Sequence, residues 1–365
     1  RMKINHTYAY PSKRNLIYGS EMVATSHPLA SQAGLSILEK GGNAIEAAIA
    51  AAAALTVLEP TSNGIGGDAF AIFWKDGKIH GLNASGRAAK KLMAQVLRDE
   101  GHTEMPVNSP HTITVPGVPS AWASLSNEHG NLPLTEVLAP AIELSEKGAP
   151  LAVTVAEYWE RAAKNYEKDR DKYKNWFDTF TVDGKAPTAG SRVVLKNHAN
   201  TLREIAETKG ESFYRGNLAK KIIAYTKTIG SYLTEEDFSE HHPEWVEPIS
   251  TNYKGYDVLE IPPNGQGLVV LMTLNLIGEM HLMPDDENYE HKLIEALKLA
   301  FTDGRNAICE GMPDVDCYLS KEYAKQRVAE IGEEAILPKP IEGVGGGTIY
   351  LAAADKDGNM ISYIQ

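Results

Sequence analysis

An alanine-rich segment, residues 43–58, constrains the fold of this chain more than any other stretch of its sequence. Asn43 is a favourable helix N-cap, and Glu46 follows three residues later, as in a capping box. Residues 47–58 would be apolar almost all round a helix, and such a helix is normally buried. Pro60 should stop it. We therefore predict a helix that is buried on most sides and closely packed.

Strands and helices alternate along the rest of the chain, without a repeat and without a clear linker. The apolar spacing predicts helices at 29–40 and 134–147. A hairpin is predicted for 69–74 and 79–83, which flank a turn sequence. Residues 112–127 are predicted to form a strand, a proline-glycine turn and the start of a helix. The whole pattern indicates one integrated α/β body.

Composition and charge exclude several classes of protein. The 365 residues are 43% hydrophobic and 23% charged, which is typical of a soluble globular protein. A formal net charge of −12, without any basic run, argues against nucleic-acid binding. The longest apolar run, residues 47–58, is shorter than the roughly 20 residues of a membrane-spanning helix. Because residues 1–6 lack a secretory-type apolar segment, we expect a cytoplasmic protein without a membrane partner.

Three other features could indicate a phosphate-binding loop, a metal site or a disulfide framework, but their details favour an ordinary structural role. Loop 61–68 is glycine-rich, but it runs from a helix into a strand, whereas phosphate-binding loops run from a strand into a helix. A nucleotide-binding α/β protein is therefore a minor alternative. His241 and His242 are adjacent, so their side chains point in different directions, and we predict a structural role rather than a metal site. Cys309 and Cys317 are too few for a disulfide framework. They could form one bridge, but we predict two buried thiols.

A glycine-rich stretch, residues 343–347, runs into Thr348 and then into an apolar segment that is typical of a strand. A turn sequence, residues 355–359, follows this strand. A hydroxyl directly after glycines suggests a reactive position, although a flexible loop before an edge strand fits the same residues. Arg87 also allows two interpretations. It follows Gly86 at the end of a strand, where it could bind a carboxylate bidentately or simply be solvated.

Taken together, the segments of this chain resemble the γ-glutamyltransferase family, which includes the cephalosporin (glutaryl) acylases. The similar segments occur in the family's order and cover nearly the whole chain. They are residues 22–68, 86–87, 114–117, 132–148, 233–237, 262–267, 294–301, 347–348 and 355–359.

The resemblance implies an α/β (α+β) fold of the N-terminal-nucleophile hydrolase type, which is an αββα four-layer sandwich. This chain would hold mainly the large-subunit portion. Members of the family are made as precursors that cut themselves in two, and the resemblance places the cut between Gly347 and Thr348. Residues 2–347 then form the large-subunit region, and 348–365 form the start of the small subunit, its partner after cleavage. We therefore expect a part of a longer precursor.

The same resemblance implies the chemistry. Thr348 is expected to be the nucleophile, and its free α-amino group, with an ordinary pKa of about 7.7–8.0, can act as general base after cleavage. Arg87 matches the position that binds the α-carboxylate of a γ-glutamyl group. The expected substrate is a small γ-glutamyl or glutaryl amide, whose acyl group passes to water or to an amine. No cofactor and no metal are expected.

Departures from the family pattern leave a second hypothesis open. Ile349 and Tyr350 follow Thr348, where family members commonly have a second threonine and a histidine. Ala88 follows Arg87, where a glutamate is usual. These differences favour an acylase-like or divergent branch. The alternative is a catalytically silent member that acts as a binding or scaffold protein.

Overall fold

The structure, a computed structural model, describes residues 17–312, 314–336 and 349–365. The predicted cleavage residues, Gly347 and Thr348, lie outside the described residues. The strands are β1 Met22–Thr25, β2 Ala69–Lys75, β3 Lys78–Ala84, β4 Ala149–Pro150, β5 Arg192–Val193, β6 Glu244–Val246, β7 Ile249–Tyr253, β8 Tyr256–Glu260, β9 Tyr350–Ala354 and β10 Met360–Ile364.

Helices make up most of the remaining regular structure. The α-helices are α1 Pro28–Glu39, α2 Ala44–Leu58, α3 Ala94–Asp99, α4 Val118–His129, α5 Leu134–Val137, α6 Ala139–Lys147, α7 Val153–Tyr166, α8 Lys174–Phe180, α9 Lys196–Thr208, α10 Glu211–Arg215, α11 Asn217–Thr228, α12 Glu235–Ser239, α13 Gly267–Glu279, α14 Tyr289–Ala307, α15 Val315–Tyr318 and α16 Lys321–Val328. Two 3-10 helices span Pro110–Thr112 and Glu167–Asp169. Within the described ranges, no helix combines the length and apolar character needed to cross a membrane.

Six strands form the main antiparallel sheet, in the order β1-β9-β10-β2-β3-β6. The predicted hairpin is confirmed as β2 and β3, which turn at Asp76 and Gly77, both with positive φ. The strand predicted after Thr348 is β9, which pairs with β1 on one side and β10 on the other. The end of the chain is therefore built into the middle of a sheet whose other strands come from its first 250 residues.

The alanine-rich helix α2 lies in the core, as predicted, and every one of its residues is buried. Asn43 caps it by accepting hydrogen bonds from the backbone N–H groups of Ile45 (3.0 Å) and Glu46 (3.1 Å). Glu46 Oε2 accepts the Asn43 N–H at 2.9 Å, so the predicted capping box is confirmed. The helix packs against α1, α4 and α6, and against β9 and β10. Its small side chains allow this contact on nearly all sides.

The main sheet is covered by helices on one face and is more open on the other. Side chains alternate between the two faces of a strand. Leu351 and Tyr363 are buried in the core that contains α2. Their neighbours on the opposite face, Tyr350, Met360 and Ile364, are 55%, 58% and 38% exposed. This open face is apolar, although it belongs to the strands at the centre of the sheet.

The predicted strand at the start of 112–127 is wrong. Thr112 ends the 3-10 helix Pro110–Thr112, which the hydroxyl of Ser109 caps and in which Pro110 takes the favoured first position, and residues 113–117 have no regular secondary structure. Val115 then donates its N–H to the backbone oxygen of Arg87 at 3.0 Å, so this backbone pairs with a loop and not with a strand. The predicted start of a helix is confirmed as α4, which begins at Val118.

Two other predictions also need correction. The helix predicted for 134–147 is divided into α5 and α6, because Pro140 has no N–H group to continue the hydrogen bonding of a single helix. Cys309 and Cys317 are exposed, not buried. They lie just after α14 and in the short helix α15, which has no buried residue.

Candidate active site

The residue that follows Thr348 is anchored at one end of the main sheet. Ile349 donates its N–H to the backbone oxygen of Gln365 at 2.8 Å, and Gln365 donates to the Ile349 oxygen at 3.1 Å. This pair extends the β9–β10 ladder by one residue beyond Tyr350 and Ile364. Ile349 is buried, with 3% of its surface exposed. The chain leaving the predicted cleavage site is therefore fixed in position from its first described residue.

The loop that carries Arg87 starts from the same end of the sheet. Ile364 of β10 lies opposite Phe70 of β2, and Phe70 lies opposite Asn83 of β3. Because β3 ends at Ala84, residues 85–87 leave the sheet beside the end where Ile349 and Gln365 pair. The topology thus places two segments that are more than 250 residues apart in sequence at the same end of the sheet, with β10 and β2 between them.

Two glycines allow the Arg87 loop to cross a second loop in close contact. A Cβ atom on Gly86 would lie 1.4 Å from the oxygen of Val115, and one on Gly117 would lie 1.5 Å from the oxygen of Ala84. No larger residue fits at either position without moving the backbone. The N–H of Gly86 also donates to Asp68 Oδ1 at 3.1 Å, and burial raises the pKa of the Asp68 carboxyl. These contacts fix the backbone immediately before Arg87.

The guanidinium of Arg87 faces carboxylates. Arg87 Nη2 lies 2.8 Å from Glu310 Oε1 and 3.5 Å from Glu244 Oε1. All three side chains are more than half exposed, and exposed ion pairs contribute little free energy. Arg87 also lines a small cavity with Lys90 and His241. The Arg87 guanidinium is therefore placed to bind carboxylates, and a different carboxylate could replace those of Glu310 and Glu244.

Three polar side chains form a closed hydrogen-bonded triangle at the end of β3, beside Arg87. Asn83 Nδ2 donates to Asn264 Oδ1 at 2.7 Å, and Asn264 Nδ2 donates to Ser85 Oγ at 3.0 Å. Ser85 Oγ donates to Asn83 Oδ1 at 2.7 Å. The triangle fixes the loop before α13 against the sheet. Sequence reasoning did not assign these residues to the site, and the only signal was the Pro-Pro-Asn-Gly motif that contains Asn264.

A second buried network supports the loop that crosses Gly86. The Tyr214 hydroxyl donates to the oxygen of Pro116 at 2.6 Å and accepts the N–H of Ser120 at 3.1 Å. His241 Nε2 lies 2.9 Å from Ser120 Oγ, and its ring stacks on Tyr214. Burial lowers the pKa of His241 to about 4, with smaller effects from nearby cations, so the ring is neutral near pH 7. His242 is exposed, and the structural role of the pair stays a prediction.

The turn between β9 and β10 is tied to the N-terminus of α2. Asp355 Oδ2 accepts hydrogen bonds from the N–H of Ala44 (2.9 Å) and from Asn359 Nδ2 (2.8 Å). Asp355 Oδ1 accepts the N–H groups of Asp357 (3.0 Å) and Asn359 (3.1 Å). A carboxylate is also favourable at a helix N-terminus, where the backbone carries partial positive charge. At the far end of the hairpin, Gln365 Nε2 donates to the oxygen of Ala52, also in α2.

We expect Asp355→Ala to lower the free energy of unfolding by about 2–4 kcal/mol, because the substitution leaves buried N–H groups without an acceptor. Urea denaturation of the uncut chain, carrying Thr348→Ala, measures this change on a single polypeptide. Asp357→Ala is the matched control, since Asp357 is exposed in the same turn and should change stability by less than about 0.5 kcal/mol. Equal effects of the two substitutions would contradict the anchoring role of Asp355.

The comparison with known proteins decides the family. The family model described as gamma-glutamyltranspeptidase matches residues 30–365. This chain belongs to the gamma-glutamyltranspeptidase family. The family prediction is therefore confirmed, and the match covers all the described elements from α2 to β10.

Several members of the gamma-glutamyltranspeptidase family are similar over most of the chain. The glutathione hydrolase-like YwrD proenzyme of Bacillus subtilis is 39% identical over 362 residues, which cover 96% of this chain and 67% of the relative. The acylase ACY 1 proenzyme of a Pseudomonas strain is 32% identical over 369 residues, which cover 94% of this chain and 64% of the relative. The chain thus spans about two thirds of the length of these relatives.

Solved structures confirm the fold class. The cephalosporin acylase from Bacillus halodurans superposes with a TM-score of 0.91 and 52% identity, over 99% of this chain and 68% of that one. The gamma-glutamyltranspeptidase of Helicobacter pylori superposes with a TM-score of 0.79 and 26% identity, over 92% of this chain and 100% of that one. The predicted N-terminal-nucleophile hydrolase fold is therefore correct. The roles predicted for Thr348 and Arg87 stay predictions.

Proposed function

We propose that the full-length protein cuts itself between Gly347 and Thr348 and then acts as an amide-cleaving acyltransferase or hydrolase. Its substrates would be small γ-glutamyl or glutaryl amides. The observation that carries this proposal is the family match over nearly the whole chain. Its relatives bear the names hydrolase, acylase and amidohydrolase, each as a proenzyme. The anchoring of Ile349 at the same end of the main sheet as the Arg87 loop supports the same placement of the site.

Self-cleavage would use the hydroxyl of Thr348. Its oxygen attacks the carbonyl carbon of Gly347, the C–N bond between the two residues breaks, and the acyl group moves from nitrogen to oxygen. Water then hydrolyses this ester, which leaves a carboxylate on Gly347 and a free α-amino group on Thr348. Because Ile349 is held by two backbone hydrogen bonds, the new N-terminus would stay at the end of the sheet.

The mature site would use the same hydroxyl on a substrate amide. The α-amino group of Thr348 accepts the hydroxyl proton while the oxygen attacks the substrate carbonyl. The substrate C–N bond breaks, the leaving amine takes up a proton, and an ester with Thr348 remains. Attack by water releases the acid, and attack by an amine gives a new amide. Both outcomes restore Thr348.

Arg87 would hold the free carboxylate of the acyl group. A γ-glutamyl and a glutaryl group both end in a carboxylate at this position, and they differ by the α-amino group that only the γ-glutamyl group carries. The structure supports this role because the guanidinium already pairs with the carboxylates of Glu310 and Glu244. Since both pairs are exposed and weak, a substrate carboxylate could displace them.

The remainder of the small subunit would cover the open face of the main sheet. An αββα sandwich needs a second sheet packed on the first, and the exposed side chains of Tyr350, Met360 and Ile364 provide an apolar face for it. We infer that the small subunit is the partner of the large-subunit region after cleavage.

A substrate screen tests the proposed function. The full-length protein is assayed with γ-glutamyl, glutaryl and butyryl anilides, with and without a dipeptide as amine acceptor. We expect hydrolysis of one or both anilides that carry the terminal carboxylate, and little of the butyryl anilide, which lacks it. A fully processed protein that cleaves none of the three would overturn the substrate class. Uncut and inactive protein would instead favour the catalytically silent alternative.

A further inference from the structure

A cluster of two histidines and one glutamate lies outside the candidate active site. Glu100 Oε2 is 2.9 Å from His111 Nε2 and 3.9 Å from His102 Nε2, and the ligand atoms of all three residues lie within 4.8 Å of one another. Two imidazole nitrogens and one carboxylate oxygen form a donor set that suits zinc and similar transition metals, and that Mg²⁺ and Ca²⁺ do not prefer.

Local backbone structure holds the first two ligands together. The helix α3 ends at Asp99, Glu100 is its C-cap, and Gly101 follows in the left-handed region with φ +88°. Gly101 donates its N–H to the oxygen of Arg98 at 3.0 Å, and His102 donates to the oxygen of Leu97 at 2.9 Å. This is the hydrogen-bond pattern of a Schellman motif, which turns the chain back over the end of its helix. The turn places the His102 ring beside the Glu100 carboxylate.

The third ligand comes from the 3-10 helix Pro110–Thr112. Ser109 Oγ accepts the N–H of His111 at 3.2 Å and fixes this turn. The side chain of His111 is only 11% exposed. Its Nδ1 is buried without a hydrogen-bond partner among the described residues. Its Nε2 is the ring nitrogen that contacts Glu100.

Tyr232 supports the carboxylate from outside the cluster. Its hydroxyl donates to Glu100 Oε1 at 2.5 Å, and its ring stacks on His111 with 5.5 Å between the ring centroids. Glu100 Oε2 is therefore the oxygen left to face the two histidines. Hydrogen bonds of this kind commonly orient metal-binding side chains.

We propose that Glu100 Oε2, His102 Nε2 and His111 Nε2 bind one zinc-type divalent ion, with water completing a tetrahedral site. Ligand atoms around such an ion lie about 3.4 Å apart, given metal–ligand distances of about 2.1 Å. The observed separations need only a small side-chain movement to reach this value. The ion would join the end of α3 to the 3-10 helix. Both lie in the segment between Arg87 and Val115, whose two ends are joined by the hydrogen bond from the Val115 N–H to the Arg87 oxygen.

Zinc titration of the metal-free protein tests the proposal by calorimetry. The experiment uses a background with Cys309→Ser and Cys317→Ser, because exposed thiols also bind zinc. We expect one saturable zinc site, no comparable site for Mg²⁺, and a rise in the thermal midpoint with zinc. Bound Co²⁺ should give the visible absorption of a tetrahedral site. No saturable zinc binding in this background would overturn the proposal.

Substitutions assign the site to these residues. Loss of a side chain that only supports a metal ligand weakens metal binding by about 10–100-fold. His102→Gln and His111→Gln each remove a ligand, so each should weaken zinc binding by more than this. Tyr232→Phe should weaken it by about tenfold, as expected for a positioning residue. His281→Asn is the control, since His281 is exposed outside the cluster and Asn tolerates its left-handed backbone. Binding that survives both glutamine substitutions, in variants with an unchanged metal-free thermal midpoint, would place the zinc elsewhere. The readout does not depend on catalytic activity.

Discussion

Replacing Thr348 with alanine in the full-length precursor is expected to abolish both self-cleavage and amide hydrolysis. The substitution removes the hydroxyl that attacks the Gly347 carbonyl and, later, the substrate carbonyl. Loss of a catalytic nucleophile commonly lowers turnover by several orders of magnitude, and we expect a loss of at least about 10⁴-fold. A denaturing gel measures the first effect, and an anilide assay measures the second.

Two controls separate the processing role of Thr348 from its catalytic role. Thr348→Ser retains a hydroxyl, so it should still cut itself and retain part of the activity. In addition, residues 2–347 can be produced together with a separate small subunit that begins at position 348. With threonine there, this pair should be active without any cleavage step, and with Thr348→Ala it should be inactive. Two fragments from the Thr348→Ala precursor would show that the nucleophile is another residue.

Arg87→Ala is the second change with a large expected effect. Loss of one partner from a buried, hydrogen-bonded charge pair costs about 2–5 kcal/mol. A bound substrate would bury the guanidinium, so kcat/KM for γ-glutamyl and glutaryl anilides should fall by about 30- to 5,000-fold. Slow hydrolysis of the butyryl anilide, which lacks the carboxylate, should be unchanged. Arg87→Lys should recover only part of the loss, because an ammonium group cannot bind a carboxylate bidentately.

Glu310→Gln provides the matched control for Arg87. It removes the nearer carboxylate partner of the guanidinium, at 2.8 Å, and leaves Arg87 in place. If the substrate carboxylate displaces Glu310, this substitution should leave kcat/KM unchanged or raise it. A loss as large as that of Arg87→Ala would mean that the ion pair with Glu310 is structural. Unchanged kinetics for Arg87→Ala would remove Arg87 from the site.

Local sequence patterns were sufficient to predict the elements whose causes are local. The Asn43–Glu46 capping box, the alanine composition of α2 and the turn between β2 and β3 depend on residues close together in sequence, and the structure contains all three. The strand predicted within 112–127 is wrong because the structure of that segment depends on a contact with a distant part of the chain. Its backbone pairs with Arg87, and no local pattern indicates this partner.

The contacts that build the candidate site join distant parts of the chain. Asp355 binds Ala44 across 311 positions, and Asn83 binds Asn264 across 181 positions. Composition and periodicity carry no information on such pairs. Thr348 and Arg87 could be selected only because the order of motifs resembles a family, since glycines before a threonine and an arginine after a strand are each compatible with ordinary structure. The cluster of Glu100, His102 and His111 was not predicted.

The mass of the mature small subunit tests the central claim most directly. The purified full-length precursor is incubated, and its products are measured by intact-mass spectrometry and N-terminal sequencing. We expect a small subunit that begins at Thr348, and its appearance should coincide with the onset of amide hydrolysis. An active protein that remains uncut, or one whose small subunit begins at another residue, would contradict the assignment of Thr348 as the nucleophile.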